Sequence, residues 1–271
     1  MTKSLLQQVM VKQAKAESHI DTKSLVEAIE KGYLVGRDKK FVQKKTFAPS
    51  TIAYGFGECA RYWYLAFDGN EFDDLTTPFS AANMGNGTLS HGRIQDAILN
   101  SGIAKVFTDE KTGKPTTEFK ISNQDPPIFG YGDGILIIND EEVVLEIKTT
   151  GEEAFQYYKR MNKAKKGHII QILLYMKILK KKDGVLLYEN KNSHELLAIP
   201  ISVNDYYRQW IDNTFNWLRE VRKAWEDRTL PNKNYRANSK ICKSCPVQKA
   251  CADAGAGVIK IAPLEGLSEA V

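Results

Sequence analysis

The stretch "GYGDGILIINDEEVVLEIKTT", Gly130 to Thr150, decides the fold and raises the first chemical question. Its Ile, Leu and Val runs are strand formers, and Asn139-Asp140 between them has the composition of a tight two-residue hairpin turn. Asp133, Glu146 and Lys148 nevertheless lie inside runs that otherwise read as buried. Side chains alternate along a strand, so in "VVLEIKTT" Val144, Glu146 and Lys148 share one face while Val143, Leu145 and Ile147 share the other. That alternation predicts one core face and one face that carries chemistry. With Asn139 and Asp140 as the turn, Ile138 stands opposite Glu141 and Asp133 opposite Glu146; a four-residue loop over 139–142 sets Asp133 opposite Lys148 instead. Both registers gather the three charged side chains.

Two carboxylates at neighbouring strand positions repel in a low-dielectric setting unless a cation sits between them. Hard oxygen ligands suit Mg²⁺ or Mn²⁺. A lysine two residues beyond the glutamate can steer a metal-bound water and stabilise charge building on a phosphate. The competing reading of the same residues is a solvated polar strand face with a cross-strand Glu-Lys pair.

The rest of the chain sets bounds. Its 271 residues, 42% hydrophobic, are enough for a sizeable core, and a net charge of +5 with a pI near 8.8 suits a polyanion partner without demanding one. The N-terminal residues lack the continuous apolar run of a signal peptide and no run approaches a membrane span, so a cytoplasmic protein without membrane attachment is expected. In that compartment four cysteines point to metal or redox chemistry rather than disulfides. "PSTIAYGFGECARYWYLAFDG" reads as one helix capped by Ser50, carrying Cys59 in its middle and ending near Gly69. "NMGNG" reads as a link into a helix through "TLSHGRIQDAILNSG", with His91 and Gln95 one turn apart. "AKVF" and "TTEFKIS" read as strands before the hairpin. After it come helices "EEAFQYYKRMN" and "GHIIQILLYMKILKK", strands "GVLLYEN" and "ELLAIPISV", and a long helix "DYYRQWIDNTFNWLREVRKAWED". A loop-built segment "CKSCPVQKAC" and a loosely ordered Ala- and Gly-rich tail close the chain. This order predicts an α/β sheet core with helical elaboration at both ends.

Asp133 followed by Glu146-Ile-Lys148 resembles the D…(D/E)xK signature of the PD-(D/E)xK nucleases, with Gly132 where the family name has Pro. Gln171 and Tyr175 in "HIIQILLYMK" resemble the QxxxY helix of the RecB-like branch, and His91 in "GTLSHGRIQ" resembles its upstream histidine. Cys242, Cys245 and Cys251 form a CxxCx₅C array and Cys59 lies far upstream, before the nuclease motifs. Four thiolates can hold an iron-sulfur cluster or zinc. One distant cysteine plus a C-terminal three is similar to the cluster of AddB-type and CRISPR-associated RecB-like exonucleases.

The resemblance covers residues 50 to 251 and implies a restriction-endonuclease-like core, a mixed sheet flanked by helices, with an iron-sulfur cap joining the N- and C-terminal parts. The expected organisation is a helical extension over 1–45 and a tail over 252–271, neither of which the resemblance explains, around a nuclease domain over 46–251 that includes the four-cysteine cap. The implied activity is metal-dependent DNA cleavage, expected as an exonuclease on single-stranded DNA or DNA ends in recombination, repair, phage or CRISPR-related processing. Asp133, Glu146, His91 and the backbone carbonyl of Ile147 would hold Mg²⁺ or Mn²⁺. Lys148 would act on the attacking water, Gln171 and Tyr175 would position the strand, and Cys59, Cys242, Cys245 and Cys251 would hold a [4Fe-4S] cluster or, alternatively, Zn²⁺. Lys163, Lys165, Lys166 and Lys191 are candidate contacts to the DNA backbone. The alternative is a catalytically silent DNA-binding scaffold in a DNA-processing complex.

Overall fold

In the computed structural model, which describes residues 20–35, 37 and 43–267, the deciding stretch forms the two-residue hairpin. β5 (Gly134–Ile138) pairs antiparallel with β6 (Glu141–Thr150), Ile138 opposite Glu141 and Gly134 opposite Leu145. Asn139 and Asp140 both take positive φ, 50° and 65°, the turn geometry whose twist matches that of the flanking strands. The next position outward sets Asp133 beside Glu146.

The sheet continues from β6 into β7 (Asp183–Asn190), which is parallel to it, and then into antiparallel β8 (Leu196–Ser202). The parallel step is bridged by two helices, α5 (Glu152–Met161) and α6 (Lys166–Leu179). Sequence alternation predicted one apolar face on β6, and the structure corrects this: both faces are covered. Val144 joins a large core with α6 residues such as Ile172 and Leu173. Val143, Leu145 and Ile147 join a second cluster with Ile94 and Ile98 of α4 (Pro78–Ser101). Strand side chains point both ways, so a sheet between helices needs apolar residues on both sides, and the chemistry-bearing face is itself roofed.

Upstream of the hairpin, β1 (Phe107–Thr108) pairs with β2 (Pro115–Thr116), and β3 (Phe119–Asn123) pairs with β4 (Ile128–Gly132). The expected "AKVF" strand is thus only two residues of ladder, with Ala104 making an isolated bridge to Leu136. The long helix α7 (Asp205–Glu226) is capped by Asn204, whose side chain accepts from the Tyr207 N–H.

Three further expectations are corrected. Residues 49–69 are not one helix: α2 (Pro49–Ile52) and a 3₁₀ turn (Gly55–Glu58) precede α3 (Ala60–Phe67). Cys59 therefore stands at a break, with extended backbone, and Ser50 lies inside α2 rather than at its cap. Gly57 enforces the break's tight packing, since a Cβ there would lie 2.0 Å from the Thr51 carbonyl oxygen. Conversely, "NMGNG" is not a link but the middle of α4. The missed start signal is Thr77 and Ser80, each side-chain oxygen accepting from the other's backbone N–H. Residues 252–267 are not loose either: Ile261, Leu264 and Leu267 are buried. The Trp210 and Trp217 indoles donate to the Glu265 and Ala262 carbonyls, so apolar side chains and two hydrogen bonds hold a segment whose composition looked like a tail.

The chain divides into two compact units, Met1–Asp38 with Thr76–Ala82, and Lys39–Leu75 with Asn83–Val271. The second holds the sheet and all residues of the candidate site. In the first, α1 (Thr22–Gly32) is capped by Asp21, which accepts from the Lys23 and Ser24 N–H groups. The part of the expected helical extension over residues 1–19 lies outside the described residues.

Candidate active site

Asp133 is placed by its position between β4 and β5 and fixed from four directions. Its Oδ2 accepts from the Ile147 N–H at 2.6 Å, and its Oδ1 lies 3.3 Å from His91 Nδ1 on α4. Its backbone carbonyl accepts from Thr117 Oγ1 at 2.7 Å and Gln95 Nε2 at 3.2 Å. Gly132 stands before it because a Cβ at that position would lie 2.7 Å from the Phe119 ring.

Glu146 is 2% exposed. Its Oε1 takes the Lys148 ammonium at 2.5 Å, while its Oε2 is buried with no hydrogen-bond partner. Burial first, and Asp133 second, push the Glu146 carboxyl up to about 8 against the opposing pull of Lys148. Lys148 Nζ also donates to Gln171 Oε1 at 3.2 Å. Gln171 Nε2 donates to the Tyr175 hydroxyl at 3.0 Å, and that hydroxyl donates to the Tyr131 carbonyl at 2.9 Å. This chain of bonds fixes which end of the Gln171 amide faces Lys148.

The structure thus brings Asp133, Glu146, Lys148, His91, Gln171 and Tyr175 together. Gln171 and Tyr175 are buried and reach Lys148 and the β4 backbone. Ile147 touches Asp133 through its N–H. Of the four lysines, Lys166 faces Glu58, and Lys191 Nζ donates to Asn83 Oδ1 at 2.9 Å. Lys163 and Lys165 are exposed at the start of α6. Glu118 escaped the sequence reading. It sits before β3, and its carboxyl is raised by burial and by Asp133 while His91 opposes the rise. Only the β3–β4 pairing, Phe119 opposite Gly132, brings it near.

The four cysteines line one cavity of about 360 Å³ together with Phe56, Tyr62 and Tyr235. Burial is the first cause that raises Cys59 and lifts Cys245 to about 12, and the neighbouring cysteines add to both. A second residue missed from sequence is Arg61, 1% exposed, whose Nε donates to Cys251 Sγ at 3.2 Å. Its other nitrogens donate to the carbonyls of Pro231, Cys251 and Gly255. An arginine in "ECARYWY" carries no sequence signal, because its partners are about 170 to 194 residues away. Among the described residues, no three His, Cys, Asp or Glu side chains are gathered as a ready-made set for one metal ion. No described helix is long and apolar enough to cross a membrane.

No protein-family model matches the chain, and no curated protein matches it in sequence. Among solved structures it is similar to SSO0001, at 14% identity and a TM-score of 0.41 over 85% of this chain and 97% of that one. It is also similar to an alkaline exonuclease (LHK-Exo) from Laribacter hongkongensis, at 14% identity and a TM-score of 0.47, covering 68% of this chain and 91% of that one. The same exonuclease in complex with dAMP gives the same TM-score over 68% and 89%.

Proposed function

We propose that this protein is a metal-dependent deoxyribonuclease of the PD-(D/E)xK, RecB-like type, with residues 46–251 as its nuclease domain. The observation that carries the reading is Glu146: a carboxylate buried beside a second carboxylate, with one oxygen paired to Lys148 and the other left without a partner. An unpartnered buried carboxylate oxygen is costly, and a divalent cation satisfies it and the Asp133 charge at once. Asp133 and Glu146 are the ligands, with His91 and the Ile147 carbonyl completing the set. When bound, Mg²⁺ or Mn²⁺ lowers the pKa of water and neutralises charge on the phosphate.

The residues of the chain do the rest. Lys148 orients or deprotonates the attacking water and stabilises the charge that develops on the phosphate. Gln171, held by Tyr175, aims the Lys148 ammonium. Lys163 and Lys165 are the first backbone contacts, since Lys166 and Lys191 already have partners. The substrate we assign is single-stranded DNA or a DNA end, cut as an exonuclease in recombination, repair, phage or CRISPR-related processing.

Cys59, Cys242, Cys245 and Cys251 hold a [4Fe-4S] cluster in this reading. Thiols raised by burial ionise only when a cation takes them, and the buried Arg61 guanidinium compensates the anionic thiolates. The spacing, one distant cysteine and a C-terminal three in place of two close CxxC pairs, favours a cluster over a single zinc ion. Holding the cluster, Cys59 at the break before α3 and Cys242, Cys245 and Cys251 after α7 would be tied together in a structural clasp.

Cleavage and binding measured side by side test the function, using anaerobically prepared protein, end-labelled linear and circular DNA, and Mn²⁺, Mg²⁺ or chelator. Lys148→Met should lower the rate on the order of 10²-fold to 10³-fold while DNA affinity falls far less. Equal cleavage by parent and variant rejects this site. No cleavage by either, with normal binding, identifies a scaffold.

A further inference from the structure

His168, in the first turn of α6, is used by none of the chemistry above. Its Nδ1 lies 2.9 Å from the Tyr188 hydroxyl, which also accepts the Lys165 N–H at 3.1 Å. Tyr188 is fully buried, and among the described residues its one hydroxyl proton has no other acceptor. A buried hydroxyl proton left unpaired is costly, so it goes to Nδ1. Nδ1 is then the acceptor, and the imidazole carries its own proton on Nε2.

The other ring nitrogen is not fully buried. Among the described residues Nε2 has no partner, and it is not one of the buried side-chain atoms that lack one, which are Glu146 Oε2, Glu189 Oε2 and Trp225 Nε1. His168 is therefore a neutral, preset donor whose Nε2–H has no acceptor among the described residues. Burial, then Lys148 and Lys165, push the imidazole down to about 3, so it stays uncharged through the working range.

Its location gives the donor a target. His168 lies one turn before Gln171 on the same side of α6, and Gln171 accepts from Lys148. Tyr188, which fixes the ring, is the register partner of Lys148 across the β6–β7 pair. A donor without charge offers a hydrogen bond to a phosphate oxygen without adding a third cation beside Lys148 and Lys165.

We propose that His168, locked as the Nε2–H tautomer by Tyr188, donates a hydrogen bond to a phosphodiester oxygen of the bound strand next to the one Lys148 serves. This rests on the nuclease reading for its substrate and adds a positioning contact made equally in the ground and transition states. Such a contact lowers KM and leaves kcat nearly unchanged.

Three measurements decide it. Nitrogen-15 NMR of histidine-labelled protein should show His168 as the neutral Nε2–H tautomer in the parent and a mixture in Tyr188→Phe. An Nδ1–H tautomer in the parent overturns the proposal whatever the protein does to DNA. Single-stranded oligonucleotide affinity in chelator should weaken roughly tenfold in His168→Ala, as for a hydrogen bond to a charged group, and recover in His168→Gln, whose amide N–H reaches toward the Nε2 position. Equal affinity in parent and His168→Ala overturns it. With Mn²⁺, His168→Ala should raise KM about tenfold with kcat within about twofold, and a fall in kcat at unchanged KM overturns it. If the parent cleaves nothing, the nuclease reading fails while tautomer and affinity still judge His168. If His168→Ala does not fold, His168→Asn, which cannot reach that position, takes its place.

Discussion

Glu146→Gln in metal-free protein tests the buried carboxylate on which the active-site reading depends. The Glu146 carboxyl is held at about 8 in the folded chain, against an ordinary value of 4.5. A carboxyl raised on folding takes up a proton, so its contribution to stability is fully present below the ordinary value and is lost as pH rises through the folded one. Between the two the loss is about 1.4 kcal/mol per pH unit, or about 2 kcal/mol from pH 6.5 to pH 8. His168 is shifted the other way, and its contribution is complete above its ordinary value of 6.5. Cys59 and Cys245 are raised from 9.0, so their loss begins above this window.

The assay is thermal unfolding in chelator across pH 6.5 to 8. For a chain of this size the parent's Tm should fall by about 5 °C, and the Glu146→Gln profile should be nearly flat, because glutamine has no proton to lose. Saturating Mn²⁺ should flatten the parent's fall by binding the ionised form, and should leave Glu146→Gln unchanged. A parent that melts at one temperature across the window, or a Glu146→Gln variant with the same slope, refutes the reasoning. Either would mean that water or a rearranged Lys148 already satisfies the carboxylate.

The cysteine cavity and the C-terminal segment make separate predictions. Anaerobically prepared protein should be brown and contain iron, and Cys59→Ser or Cys245→Ser should lose the colour and melt lower, because ligand binding and folding are coupled; stoichiometric zinc without iron rejects the cluster. Leu264→Ala removes a side chain that is 5% exposed and should cost about 2–5 kcal/mol in urea unfolding, whereas an effect below about 0.5 kcal/mol would show that the segment after Cys251 contributes nothing to the core.

The parts of the molecule that were legible in the sequence share one physical property: their partners lie within a few residues, or within one repeat of strand or helix geometry. Asn139-Asp140 fixes a turn, the turn fixes a register, and the register sets Asp133 beside Glu146. Gln171 and Tyr175 follow from one helical turn, and the structure joins them by a hydrogen bond. Illegible were features decided by long-range contact. The second apolar face of β6 exists because α4 packs there, and nothing in "VVLEIKTT" announces that a helix some 50 residues upstream will cover it. The glycines of "NMGNG" argue for a break by propensity alone, yet the helix runs through them, capped by Thr77 and Ser80.

The same distinction explains why charge was easier to find than to interpret. A glutamate in an apolar strand is conspicuous in sequence, but its meaning depends on whether water reaches it. Lys148 alone suits the bland reading of a paired, solvated strand face, and there a Glu-Lys pair would contribute only fractions of a kcal/mol. Roofed by α6, with Glu146 2% exposed and one oxygen unpartnered, the same three residues would hold, once Glu146 ionises, an excess of buried negative charge that one lysine offsets only in part. Arg61 is the complementary case, a buried cation among four cysteines whose thiolates would supply the opposite sign. In both places the sequence supplies the ionisable groups, and the fold, by excluding water, turns them from surface decoration into buried clusters whose charge the proposed ions would balance.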